Sequence, residues 1–154
     1  MPANAGASSG DLQDWLRGFL TDAGAVAGTV HLHEAGGLRL AADINIPPPL
    51  RQAVEWVPTG KGMAGLALER GQPMQTCNLQ EDRSAEIKPG AKAVGAKAAV
   101  ALPVRGPGGG IVAIVGAAWM QELELDAATV DRLLQSAARL TDVVPGDWGV
   151  TDEE

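Results

Sequence analysis

The sequence is short of several residue types: one cysteine, two histidines, one phenylalanine, four serines and no tyrosine. Each shortage excludes something. Cys77 on its own rules out an internal disulfide framework and any zinc site of two or more thiolates. Four serines and two histidines leave little material for hydrolase machinery. Lys and Arg number 12 against 19 Asp and Glu, for a net charge of −7. That balance argues against a general nucleic-acid or anionic-membrane binder. The longest apolar run, Ile111 to Met120, is about half of what a bilayer helix needs. Met1 to Gly10 carry no charge, so the basic and apolar regions of a secretory signal are both missing there. A lone thiol fits a reducing, cytoplasmic setting.

What is present suits one globular domain. The chain has 154 residues, 45% of them apolar and 20% charged. A chain of this length buries enough surface to hold a core without a metal or disulfide. We expect a flexible tail over 1–9, the domain over 10–144 and an acidic tail over 145–154. Pro145 and Gly146 stop the preceding helix, and Asp152, Glu153 and Glu154 repel one another. Trp148 either docks on the body of the domain or contacts a second subunit.

Periodicity supplies the elements. Leu12, Trp15, Leu16, Phe19 and Leu20 make one apolar helical stripe over 11–23, with Ser9 as its N-cap and Gly24 as its stop. Residues 26–34 and 38–46 alternate as a hairpin around Gly36 and Gly37. A two-residue Gly36-Gly37 loop would put the two apolar sets on opposite faces, so the pleat demands a three-residue loop, Ala35-Gly36-Gly37, which pairs Glu34 with Leu38. Val30 and Leu32 then lie beside Leu40, Ala42 and Ile44, and the half-exposed opposite face carries His31, His33, Arg39 and Asp43. Pro47-Pro48-Pro49 forms a rigid corner, followed by a short helix over 50–54 and an extended Trp56-Val57-Pro58. A helix from about Met63 to Arg70 ends at Gly71, and a short strand spans 73–79. Residues 80–95 read as a long functional or mobile loop. Ala96 to Val104 and Gly110 to Met120 are apolar on both sides of the pleat, as central strands covered by layers above and below are. A last helix runs from its N-cap Asp126 to about Val143. The fold class is α/β (α+β): a mainly antiparallel sheet with helices on both faces.

Candidate chemistry is sparse. Gly60-Lys61-Gly62-Met63-Ala64-Gly65 matches G-x-G-x-x-G, but Pro58 interrupts the strand that a dinucleotide fold requires before it. Glycines opening a helix still supply backbone N–H groups and a positive dipole end for an anion, with Lys61 beside them. The same glycines also suit a tight turn. Cys77 is ordinarily a small buried hydrophobe; a reactive thiol needs a nearby cation, which Lys88, Lys92 or Lys97 would supply. His31 and His33 share a strand face, but Arg39 on that face opposes a metal, and solvated or ion-paired histidines are the ordinary reading. No metal, catalytic residue or cofactor is assigned. Residues 60–105 hold seven basic and four acidic side chains, net +3, while the remainder is net −10. A local positive patch on an acidic body attracts small anions.

The chain resembles the GAF domain family. The resemblance rests on Val57-Pro58-Thr59-Gly60-Lys61-Gly62-Met63-Ala64-Gly65-Leu66-Ala67, then Gly71-Gln72-Pro73-Met74 and Asn78-Leu79. The strand Ala98–Pro103, the strand Gly110–Gly116 and the last helix follow in order. The resemblance spans about 11–143. It implies a central antiparallel sheet of five or six strands and terminal helices on one face, often forming a dimer. It also implies a ligand pocket on the other face, under the long loop. By this resemblance the chain is a cytoplasmic, non-enzymatic sensor of a small anionic ligand, with a nitrate-receptor-like role as the most concrete version. It would signal through a separate protein, because no output segment is attached, and form a homodimer through the terminal helices. The turn and helix start at Lys61, Gly62, Met63 and Ala64 would meet the ligand. Trp56, Met63 and Cys77 would line the pocket, and Lys92 or Lys97 would supply a countercharge. Alternatives are a free methionine sulfoxide reductase using Cys77, and an interaction or dimerisation module without ligand. The reductase branch of the family uses several cysteines, and Cys77 has no partner in sequence.

Overall fold

The computed structural model describes residues 9–75, 98–106, 108–121 and 125–143. Helix α1 (Ser9–Ala23) precedes strands β1 (Ala27–Glu34) and β2 (Gly37–Ile44), helix α2 (Pro48–Ala53) and strand β3 (Trp56–Pro58). Helix α3 (Gly62–Arg70), strands β4 (Met74–Gln75), β5 (Ala98–Arg105) and β6 (Ile111–Trp119), and helix α4 (Ala127–Ala137) follow. A 3-10 stretch, Ala138–Asp142, extends α4. The six strands form one antiparallel sheet in the order β3-β2-β1-β6-β5-β4. The expected fold class is therefore present. The tails and residues 76–97, with the long loop and Cys77, lie outside the described residues, as does Trp148.

Helix boundaries follow their chemistry. Asp126 caps α4, its carboxylate accepting from the Thr129 amide at 2.9 Å. Gly71 ends α3 at φ +69, a left-handed conformation that glycine adopts without steric cost. Helix α1 includes Ser9 rather than starting after it.

The hairpin departs from the sequence expectation. Glu34 pairs with Gly37, not Leu38, so the loop is the two-residue Ala35-Gly36, with Gly36 at φ +88. His31 lies opposite Leu40 and Val30 opposite Ala42, which leaves Ala41 as an extra residue. This β-bulge reconciles a tight loop with the hydrophobic pattern, because one inserted residue reverses the faces beyond it. Leu38 and Leu40 thus share a side with His31 and His33, while Ala42 and Ile44 join Val30 on the other side.

That other side holds the main core. Leu12, Leu16, Phe19 and Leu20 of α1 pack with Leu133 and Ala137 of α4 and with Leu140. They cover Val30, Val100, Leu102, Val104 and Val115 of the sheet. Trp119 Nε1 donates to the Ala23 carbonyl at 3.0 Å, and the Gln13 amide meets the backbone of Asp43, tying α1 to two strands. On the opposite face α3 brings Leu66 and Ala67 against Leu38, Val57, Met74, Ala101 and Ile114. Gly65 permits this approach: a Cβ there would sit 2.5 Å from the Pro58 carbonyl oxygen. The terminal helices lie together on one face, as the resemblance implies, and α3 lies on the other.

Candidate functional site

Between the α2–α3 side of the sheet and those two helices lies a cavity of about 310 Å³. This is at the lower end of the ~300–1,000 Å³ typical of small-molecule sites. Three registered rows of β1, β6 and β5 build its floor. The first is Ala27, Ala118 and Ala99; the second is Thr29, Gly116 and Ala101. Of the third, His31 lines the cavity, while Ile114 opposite it packs in the core beneath α3. The first two rows carry almost no side-chain volume, and that is why a cavity exists there. Leu50, Ala53 and Val54 of the α2 strap form one wall, and Gly62, Met63 and Ala64 of α3 form another.

Of the predicted ligand residues, Trp56, Lys61, Gly62, Met63 and Ala64 all line this cavity. Trp56 is 43% exposed, and its ring packs close over Gly37. Lys61 is exposed and is the residue from which α3 starts. Cys77, Lys92 and Lys97 lie outside the described residues.

The glycine turn divides its N–H groups between structure and site. Lys61 N donates to the Pro58 carbonyl at 3.0 Å, and Gly60 N to Gly65 O at 2.9 Å. Gly60, at φ +87, takes the third position of that Pro58–Lys61 turn. These two amides therefore stay within the turn. The first-turn amides of α3, at Gly62, Met63 and Ala64, have no acceptor further back in the helix and point out of its positive end.

Sequence reasoning missed the floor and its one buried polar residue. His31 is not on a half-exposed face. It is 3% exposed and lines the cavity. Its Nε2 lies 2.9 Å from the Val54 carbonyl oxygen. A carbonyl only accepts, so Nε2 carries the hydrogen. Burial holds the imidazole below its ordinary pKa, against the smaller opposing effect of the Val54 bond. The ring is thus neutral near pH 7 and Nδ1 is a bare acceptor; among the described residues it has no partner. His33 does not join it. The His33 Nδ1 meets the Ile111 carbonyl at 2.8 Å. Among the described residues no three His, Cys, Asp or Glu side chains converge on a possible metal position. None of the described helices is long and apolar enough to cross a membrane.

A sequence model of the GAF domain matches residues 11–144. The chain belongs to the GAF domain family. No curated protein matches it significantly. Among solved structures it is similar to the GAF domain of an Acinetobacter phosphoenolpyruvate-protein phosphotransferase, at 14% identity and a TM-score of 0.69. That alignment covers 93% of this chain and 85% of the other. It is also similar to a type II free methionine-R-sulfoxide reductase from Thermoplasma acidophilum, at 12% identity and a TM-score of 0.68, covering 92% and 94%. A Staphylococcus aureus NreA protein mutated in its nitrate-binding site aligns at 13% identity and a TM-score of 0.62, covering 80% and 94%. At these identities the structural likeness establishes the fold alone. GAF domains are generally small-molecule sensing or regulatory modules.

Proposed function

We propose that this GAF domain is a cytoplasmic sensor whose small-molecule ligand occupies the cavity between the sheet and the α2–α3 layer. The cavity itself carries the reading: about 310 Å³ of mostly apolar space over a floor of alanine and glycine. A floor that only filled a core would carry larger side chains, because protein interiors pack close to crystal density. The ligand places an anionic or other acceptor group at the first turn of α3, where the Gly62–Ala64 amides and the Lys61 ammonium supply only donors and positive charge. Output passes to a separate signalling protein, with α1 and α4 as the surfaces of a homodimer. That one neighbour of this fold, NreA, has a nitrate-binding site supports an anionic ligand, and the cavity admits ligands well beyond four heavy atoms.

The test is native mass spectrometry of what co-purifies, followed by a thermal-shift panel of nitrate, cyclic nucleotides, methionine sulfoxide and small aromatic acids. Lys61→Ala should weaken the best anionic binder several-fold while leaving the melting temperature of the protein alone unchanged, since Lys61 is exposed. Equal affinity of wild type and Lys61→Ala sinks the anion assignment. Gly62 is a poor target for such a test, because its φ of +66 makes any side chain there a strain on the turn.

A further inference from the structure

The cavity sorts its polar groups by type. Where the start of α3 lines the cavity it offers donors, three first-turn amides and the Lys61 ammonium, while the Glu69 carboxylate near Gly60 lies outside the lining. On β1, Thr29 and His31 lie two residues apart and face the same side. The Thr29 hydroxyl has no hydrogen-bond partner among the described residues. It stands beside Gly116, where a Cβ would sit 2.8 Å from Thr29 Oγ1. Glycine at 116 thus leaves that hydroxyl uncovered. His31 Nδ1 is the more telling group. It is a buried acceptor without a partner among the described residues, and such a group carries a desolvation penalty until a donor meets it.

We infer that the ligand carries a hydrogen-bond donor, an O–H or N–H, on an otherwise apolar body, and that His31 Nδ1 receives it with the Thr29 hydroxyl alongside. The inference rests on the reading of the cavity as a ligand pocket. The ligand class is then a compact molecule with an acceptor or anionic end toward α3 and a donor toward β1, as in a hydroxylated aromatic acid. Nδ1 is screened from water in this structure, so the donor reaches it through a small local shift of the groups around the ring. None of the residues of α2 is buried, and the bond from His31 Nε2 to Val54 O fastens its end to the sheet. Pairing at Nδ1 removes the unsatisfied acceptor, which is the driving force for the shift.

The experiment uses the full chain and two matched probe pairs, phenol with fluorobenzene and 4-hydroxybenzoate with 4-fluorobenzoate. Fluorine fills nearly the space of a hydroxyl and cannot donate. Affinities come from NMR titration at pH 7.5, and nitrogen-15 labelling of the histidines follows Nδ1 directly. The hydroxyl member of each pair should bind about five- to tenfold tighter, as one net hydrogen bond provides. The His31 Nδ1 resonance should move with that member only, while His33, bonded to Ile111, serves as the internal reference. Equal affinity within both pairs overturns the inference but leaves the pocket reading standing, because the probes still bind. A hydroxyl preference with His31 Nδ1 unmoved overturns the assignment to His31. If no probe binds at millimolar concentration, the pocket reading falls and the inference with it.

Discussion

The two faces of the central strands β1, β6 and β5 are built on opposite plans. On the α1–α4 side the registered row Val30, Val115 and Leu102 consists of large, fully buried side chains. One residue along each strand, on the other side, the row is Thr29, Gly116 and Ala101. Both faces are apolar; they differ in volume. The first face is filled by Leu12, Leu16, Phe19 and Leu20, and it supplies the stability of the domain. The second gives up packing to leave a cavity, and the acceptor on His31 is its unsatisfied polar group among the described residues. Substitutions should therefore separate along this line, with stability lost from one face and binding from the other.

The largest effect is expected on the packed face. Leu16 is completely buried, and Leu16→Ala removes its contacts with both strands and helices. Such truncations cost about 2–5 kcal/mol, depending on how far the site collapses. Denaturant unfolding would show it as a lower midpoint with an unchanged slope. A loss under 1 kcal/mol would mean that this face does not hold the core. On the cavity face the reverse substitution is informative. Ala99→Leu grows a side chain from the floor into open space beside Ala27 and Ala118. Overfilling a packed core costs roughly 1–3 kcal/mol, but here the cavity absorbs the added groups, so stability should change by less than about 1 kcal/mol. Ligand affinity should fall at least tenfold, measured by calorimetric titration with whichever panel member binds. Intact affinity in a stable Ala99→Leu protein would break the comparison.

This contrast was already written in the strands, although reading for polarity alone passes over it. Along β5 the residues alternate Ala98, Val100, Leu102, Val104 against Ala99, Ala101, Pro103. Along β6, Val115 and Trp119 alternate with Gly116 and Ala118. Both strands are legible as buried on two sides, and they are. The period-two drop in side-chain size, which marks the cavity, is visible only when volume is followed instead of hydrophobicity. The helices were legible because their stripes and caps are local: Leu12 to Leu20, Asp126, Gly71. So were Trp56 and the Lys61–Ala64 segment, since the glycine turn fixes where α3 begins. His31 was not. Its placement depends on the bulge at Ala41, and a bulge is set by long-range pairing rather than by any residue beside it. Counting an unbroken pleat across the hairpin put His31 with Arg39; in the structure Arg39 pairs with Leu32, and its guanidinium meets Glu34 at 2.6 Å.

The smallest expected effect is a pH dependence that belongs to His31, and its sign follows from burial. The buried imidazole has its pKa lowered from 6.5, while in the unfolded chain it titrates near that ordinary value. Above about pH 6.5 both states hold the ring neutral, and His31 contributes no slope. As pH falls below 6.5, the unfolded chain takes up a proton that the folded protein resists, so folding stability declines with acid. The decline stops only once pH passes below the lowered folded value. Most carboxylates titrate under pH 5, so the interval from 7 to 5 isolates imidazole from acid groups such as Asp126, whose pKa is itself lowered by the Thr129 hydroxyl first and the Thr129 amide second. An NMR titration should therefore find His31 with a pKa below 6.5, and the melting temperature should drop between pH 7 and pH 5. A donor ligand on Nδ1 sharpens the effect, because it binds the neutral ring and not the protonated one: its affinity should weaken over the same interval in which His31 gains its proton. A His31 that titrates at or above 6.5 would show that the ring is solvated, and the cavity face would then lose its buried acceptor.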